Sequence, residues 1–240
     1  AWRSWPERST VGAGGDGVGG VSLGIHPVVG TCGWASAMTE RLYFDDSYLF
    51  QERARVKSVA RGEGDGGVDL VLYGTIFHPQ GGGQPSDEGT IDGFAIRALR
   101  ADRETGDVVH TVACDDDGAF EVDQVVELRV DSAKRRENAR NHSAGHLLDV
   151  AVRKAGLPLV PGKGYHFPTS AYVEYAGAVA AEERAEVAEE LTKIANALIA
   201  GSTLTDGTRV TKDTDGMRIV RLIEDDDGCP CGGTHVKHIR

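Results

Sequence analysis

Asn141-His142-Ser143-Ala144-Gly145-His146-Leu147-Leu148 is the stretch on which the reading of this chain turns. It lies inside residues 132–156, whose pattern predicts a helix. Asp131 or Ser132 can cap its start, and Gly156 with Pro158 can end it. On a helix, His142 and His146 stand one turn apart, about 5–6 Å at Cβ, so both imidazoles can address one ion. A second pair follows in Cys231 and His235, separated by Gly232-Gly233-Thr234. The two glycines allow a tight loop that turns both side chains inward. Imidazole and thiolate together suit tetrahedral zinc far better than magnesium or calcium. Either pair alone is a weak signal; both in one chain favour a zinc site on His142, His146, Cys231 and His235. No glutamate follows His142, which excludes the metalloprotease pattern. Cys229 is an alternative thiolate to Cys231, and Pro230 between them opposes ligation by both. Asp149 reads equally as a partner that orients His146 and as an exposed helix charge.

Working outward, residues 38–131 read as β. Short apolar runs at 55–60, 68–77, 93–99, 108–113 and 125–130 are separated by breakers such as Asp115-Asp116-Asp117-Gly118. Strands at this spacing predict a small barrel. Gly145 inside the helix costs about 1 kcal/mol relative to alanine and permits a kink. Downstream, 165–175 reads as one strand and 181–200 as the clearest helix, with Val187, Leu191, Ile194 and Leu198 on one face and Gly201 as its stop. Residues 210–211 and 217–223 read as further strands. The expected fold class is α+β: a small N-terminal β-barrel over 38–131, then a two-layer α/β zinc-binding domain over 132–240. Residues 1–37 hold nine glycines and no periodic apolar pattern. They read either as an upstream extension or over-called start that is not native, with Met38 as a natural start, or as a real but flexible N-terminal tail.

Charge and composition bound the function. The 240 residues carry a formal net charge of -11. Nine Lys/Arg face twenty Asp/Glu over 38–132, whereas 133–240 carries fifteen of each. A global basic footprint for nucleic acid is therefore absent. A local one is available where Lys134, Arg135, Arg136 and Arg140 cluster, with Lys163 as a further candidate; for any single one, a solubilising role is the simpler reading. No stretch reaches the ~18 apolar residues of a membrane helix. Cys229 and Cys231 are too close for an ordinary structural bridge, which points to a reducing, cytoplasmic compartment.

A second motif is Phe77-His78-Pro79-Gln80-Gly81-Gly82-Gly83-Gln84-Pro85-Ser86-Asp87. Its glycines expose backbone N–H groups and let a ligand approach closely. Gln84 offers both a donor and an acceptor. A plain turn of the barrel explains the stretch equally well.

Three segments together carry a resemblance. The helical segment 141–148 resembles the HxxxH motif of alanyl-tRNA synthetase editing domains. Cys229-Pro230-Cys231-Gly232-Gly233-Thr234-His235-Val236 resembles their CxxxH motif, and Gly81-Gly82-Gly83-Gln84-Pro85 with Asp87 and Gly89 resembles the glycine-rich motif of the preceding β domain. Their order and spacing resemble the free-standing AlaX-type editing proteins from about Met38 onward. The resemblance implies an editing domain over 132–240 and a zinc-dependent hydrolase that deacylates tRNA(Ala) mischarged with serine or glycine. It implies zinc on His142, His146, Cys231 and His235. One departure stands out: Gly145 occupies a position where the family often has threonine, whose hydroxyl helps to sense the amino acid. Ser143 is the nearest other hydroxyl, although on a helix it faces away from His142's side.

Candidates for contact with the aminoacyl group are thus Gly82, Gly83, Gln84, Ser143 and Gly145. Gln84 and His166 are the candidates for catalysis, His166 reading equally as a strand residue packed on the core. Zinc can lower the pKa of a bound water towards about 7, or, with four protein ligands, shape the pocket and hold the substrate amine. The rival readings are a zinc-stabilised RNA-binding module without activity and a zinc hydrolase of small esters or amides.

Overall fold

Val68-Asp69-Leu70-Val71-Leu72 alternates buried and half-buried residues, and Val126, Leu128 and Val130 do the same. This two-residue period places one face of each strand inward. The computed structural model describes residues 38–62, 66–116, 118–202 and 207–239; the expected extension at 1–37 lies outside them. The described elements run in the order β1 (Glu40–Arg41), a 3-10 turn (Leu42–Phe44), β2 (Gln51–Arg61), β3 (Val68–Leu72), β4 (Gly74–Thr75), β5 (Gly89–Ile91), β6 (Phe94–Ala101), β7 (Val108–Val112), β8 (Val125–Val130), α1 (Ser132–Lys154), β9 (Val160–Tyr165), β10 (Tyr172–Ala176), α2 (Arg184–Gly201), β11 (Arg209–Lys212), β12 (Arg218–Arg221) and β13 (Cys229–Pro230).

Six strands close a barrel in the order β2-β3-β7-β6-β5-β8. Every neighbouring pair is antiparallel, and β8 returns to β2 through Gln51–Arg55 opposite Arg129–Val125. Closure leaves no free edge and fills the interior with Val56, Leu70, Leu72, Ile91, Val112, Val126 and Leu128. The run expected at 68–77 is broken at Tyr73, where β3 gives way to β4, and β4 pairs with β1 in parallel.

The barrel ends at Val130 and α1 begins at Ser132. Asp131 is the N-cap: its carboxylate accepts from the N–H groups of Ala133 and Lys134 at 2.9 and 3.0 Å. The helix runs without interruption through Gly145 to Lys154. Beneath it, Leu147 packs with Val220 and Leu222 of the β11-β12-β13 sheet region.

The single strand expected at 165–175 is instead the antiparallel hairpin β9-β10. Phe167–Ser170 forms its turn, where Pro168 has no N–H to donate and Ser170 N–H reaches the Phe167 carbonyl. The helix expected at 181–200 is α2, starting three residues later. It has no fully buried residue; Val187, Leu191, Ile194 and Leu198 are half-buried.

Candidate metal centre

His142 and His146 project from one face of α1, as their spacing requires, and their rings stack 5.0 Å apart. The loop after β13 brings up Cys231 and His235. The ligand atoms of His142, His146, Cys231 and His235 all lie within 4.8 Å of one another, a group that could hold a metal ion. Gly233 permits this approach, since a Cβ there would stand 2.1 Å from Cε1 of His142.

Each imidazole is oriented by a different group. Nδ1 of His142 lies 2.8 Å from Gln84 Oε1, which can accept its proton and leave Nε2 as the lone-pair donor. Nδ1 of His235 lies 3.2 Å from Ser143 Oγ, and Nδ1 of His146 lies 3.1 Å from Cys229 Sγ. The opposite edges converge. Nε2 of His142 is 3.4 Å and Nε2 of His235 is 3.3 Å from Cys231 Sγ. Nε2 of His146 is buried without any partner. A sealed, unpaired nitrogen costs about 1–3 kcal/mol, and an ion at the centre of the group removes that cost.

The electrostatics agree. Burial first, then the mutual repulsion of neighbouring histidines, holds the His142 and His235 imidazoles well below the ordinary value. Burial and then His166 hold His146 down at about 4. All three are neutral at pH 7 and able to donate lone pairs. Burial pushes the Cys231 thiol up, opposed by the Gly233 N–H and the Arg218 guanidinium; Cys229 is pushed up to about 12 by burial and by Cys231. Cys231 is the thiol of the converging group, and Cys229 backs His146 instead.

No family model matches the chain. Individual relatives are more informative. The chain is 32% identical over 207 residues to the alanyl-tRNA editing protein AlaX-M of Pyrococcus horikoshii, spanning 85% of this chain and 87% of that one. The chain belongs to the AlaX alanyl-tRNA editing proteins. It is also 34% identical over 221 residues to AlaX-L of the same organism, and spans about half, 52%, of that longer protein. It is 40% identical over 118 residues to the alanine–tRNA ligase of Methanobrevibacter smithii, covering 48% of this chain and 13% of the ligase.

In this AlaX chain several expected site residues have other work. Gln84 is fully buried, with Oε1 accepting from the Thr234 N–H at 2.9 Å and Nε2 donating to Thr234 Oγ1 at 2.9 Å. It fastens the 231–235 loop and His142 to the barrel, and is not open to substrate. Ser143 is 3% exposed; its Oγ faces His235 and accepts from the Val236 N–H. Its hydroxyl is thus engaged in positioning a ligand loop. Asp149 lies 3.9 Å from His146 Nδ1, too far for a hydrogen bond, and accepts from Tyr175 OH at 2.7 Å. Gly81–Gln84 is a tight turn closed by reciprocal backbone bonds, with Gly82 exposed at its tip.

Arg135 corrects the expected basic cluster most sharply. It is 0% exposed, with Nε donating to Asp87 Oδ1 at 2.8 Å, Nη2 to Asp87 Oδ2 and the Ile76 carbonyl, and Nη1 to the Ser47 carbonyl. A sealed guanidinium presents no charge to a phosphate. Lys134, Arg136, Arg140 and Lys163 are exposed. Arg136 lies over the Tyr48 and Phe50 rings at 5.3 and 5.1 Å.

Sequence reasoning missed Thr234, Arg218 and Ser47. Thr234 has no exposure. Arg218 donates to the Cys231 and Phe44 carbonyls, and Ser47 Oγ accepts from the His235 N–H. Of the three, only Thr234 carries a signal in the sequence, through its place between Gly233 and His235.

Proposed function

We propose that this chain is a trans-editing hydrolase that cleaves the aminoacyl ester of tRNA(Ala) mischarged with serine, and also with glycine. The observation that carries the reading is the convergence of three Nε2 atoms and one thiol, each imidazole backed at Nδ1, in a chain of the AlaX family. The donor set supports zinc. The edge of a tetrahedron with Zn–S of about 2.3 Å and Zn–N of about 2.0–2.1 Å is about 3.5 Å. The two Nε2–Sγ separations, 3.4 and 3.3 Å, match it. Zinc held there supplies a positive centre that anchors the aminoacyl group or polarises its surroundings.

The protein's own residues do the rest. Gln84 and Ser143 fix the imidazoles before substrate arrives, so little reorganisation is needed at the moment of reaction. The Gly81–Gln84 turn lies beside them, and Gly82, exposed at its tip with open space around it, lets the sugar–ester end of the tRNA approach the backbone. Exposed Lys134, Arg136, Arg140 and Lys163 are the cations available to the phosphate backbone. Among the described residues no helix is long and apolar enough to cross a membrane.

The test is deacylation of Ser-tRNA(Ala), Gly-tRNA(Ala) and Ala-tRNA(Ala) by the chain and by its Cys231→Ala/His235→Ala variant. Loss of serine and glycine, sparing of alanine, and collapse of both rates in the variant are expected. A zinc-loaded, folded protein that turns over none of the three would instead be an RNA-binding module. Turnover of small free esters at the same rate as tRNA would make it a general esterase.

A further inference from the structure

Three glycines from three elements enclose one imidazole. A Cβ on Gly145 of α1 would stand 2.4 Å from Cε1 of His166, and a Cβ on Gly164 of β9 would stand 2.5 Å from its Nε2. A Cβ on Gly83, in the tight turn, would stand 3.2 Å from its Cδ2. The slot therefore depends on the absence of side chains at positions 145 and 164; a side chain at 83 would first strike the Gly164 backbone that forms the same wall. The backbone closes it: the His166 N–H donates to the Gly83 carbonyl at 2.8 Å. Inside, the His166 ring stacks on His142, with centroids 4.4 Å apart and planes 18° from parallel. It lies 6.4 Å from His146.

His166 is nevertheless no member of the converging ligand group. Among the described residues neither of its ring nitrogens has a hydrogen-bond partner, although the residue is only 6% exposed. The nitrogens are also not sealed, unlike Nε2 of His146. A histidine that only fills a core is normally satisfied. His110 in the barrel illustrates that case, with one nitrogen on Thr75 Oγ1 and the other on the Leu70 carbonyl. His166 has the opposite character: it is stacked on His142, and the missing side chains of Gly145 and Gly164 leave room along its Cε1, Nδ1 and Nε2 edge, whose nitrogens have no partner among the described residues.

We propose that His166 is a specificity-determining residue whose ring edge hydrogen-bonds the amino-acid moiety of the substrate and reads a side-chain hydroxyl. This rests on the editing reading above. A neutral imidazole presents one donor and one acceptor, which a hydroxyl can match and a methyl group cannot. Such a bond favours the seryl over the alanyl substrate, which sets a methyl group against the ring, while a glycyl substrate places nothing there. The slot also explains why a glycine sits within α1 despite its cost to the helix: any side chain at position 145 displaces the ring.

The experiment compares the chain with His166→Ala and His166→Gln on Ser-tRNA(Ala), Gly-tRNA(Ala) and Ala-tRNA(Ala), with zinc content measured for each. His166→Ala is expected to lower kcat/KM for the seryl substrate about tenfold. The glycyl and alanyl substrates change less than about twofold, and zinc content is unchanged. His166→Gln, which keeps a donor and an acceptor, recovers part of the seryl rate. An equal fall for all three substrates, or no fall, overturns the proposal while leaving editing intact. An unmutated chain that is inactive on seryl-tRNA overturns the editing reading, and this proposal with it. Should His166→Ala lose its zinc or its fold, the decision passes to NMR of the intact chain. The His166 ring resonances then shift on titration with a non-hydrolysable 3′-seryl-amido-adenosine and not with its alanyl counterpart; equal shifts for both overturn the proposal.

Discussion

Arg135, near the start of α1, is locked onto Asp87 at the end of the glycine-rich stretch, both side chains wholly out of solvent. Asp87 also accepts from the His78 N–H at 2.6 Å, so one carboxylate ties the helix to both ends of the same loop. The barrel and the helix that carries His142 and His146 are thus joined by a buried charge pair rather than by apolar packing alone.

Breaking that pair from one side leaves a charge without compensation. Arg135→Met or Asp87→Leu alone should cost about 3–5 kcal/mol of stability. The double change should recover much of this, because both charges are gone. Urea denaturation of the three variants checks it; a single variant as stable as the parent would show that the pair does not hold the two parts together.

The residues behind the imidazoles should tune metal affinity. Gln84→Ala and Ser143→Ala are each expected to weaken zinc 10- to 100-fold, the usual loss when a histidine ligand's partner is removed. Competition with a chromophoric chelator measures this. Gln84→Ala should be the more severe change, because it also frees the Thr234 N–H of the 231–235 loop.

If the centre holds zinc, chelation should loosen the fold locally. The 231–235 loop is fastened by hydrogen bonds to Gln84, Arg218 and Ser47, and a metal that binds only in the folded state would stabilise it further by mass action. A strong chelator is expected to lower Tm and to open the loop to protease, while amide protection in the barrel strands persists. Uniform loss of protection throughout the chain would count against a local role.

Stability should also fall in mild acid because of histidines outside the converging group. Burial holds the His110 imidazole down at about 4, against the Leu70 and Val108 backbone groups that favour its charged form. Burial likewise holds His78 down at about 4, opposed by Asp87. The folded values lie below the ordinary 6.5. The stability each neutral ring contributes is therefore whole above pH 6.5, and it declines as pH falls from 6.5 towards 4 while the unfolded chain takes up protons. The decline for His110 reaches about 3 kcal/mol at most. Urea midpoints at pH 7, 5.5 and 4.5 for the parent and His110→Gln test it; parallel pH curves would remove His110 as the source.

Salt dependence separates the exposed cations from the buried one. Arg136→Ala and Arg140→Ala should each weaken tRNA binding for every aminoacyl form alike and reduce the slope of log K against log salt by about one. Binding titrations at several salt concentrations read the slope.

The strands at 108–113 and 125–130 were legible because valine-rich runs are bounded by turn residues. β9 was not: Val160-Pro161-Gly162-Lys163-Gly164-Tyr165 has little strand propensity, and only pairing with β10 makes it a strand. At the candidate metal centre, one-turn spacing on a helix and a two-glycine loop picked out the four residues that the structure brings together, since local geometry suffices for each pair. The groups behind them could not be read, because Gln84 and His142 meet over a separation of 58 residues and Ser143 and His235 over 92. Arg135 was misread for the same reason. Its position in a basic run is a local fact, whereas its partner Asp87 lies 48 residues away.

The order of the ligands along the chain has a consequence for biosynthesis. His142 and His146 leave the ribosome together with a finished barrel and its Gln84 anchor, yet the thiol and the last imidazole follow only after roughly eighty-five further residues. During that interval the helix offers two nitrogens and no sulfur, a set that binds zinc weakly. The four-donor set is therefore complete only once the 231–235 loop has been made, and tight metal binding, if the centre takes zinc, has to wait for it.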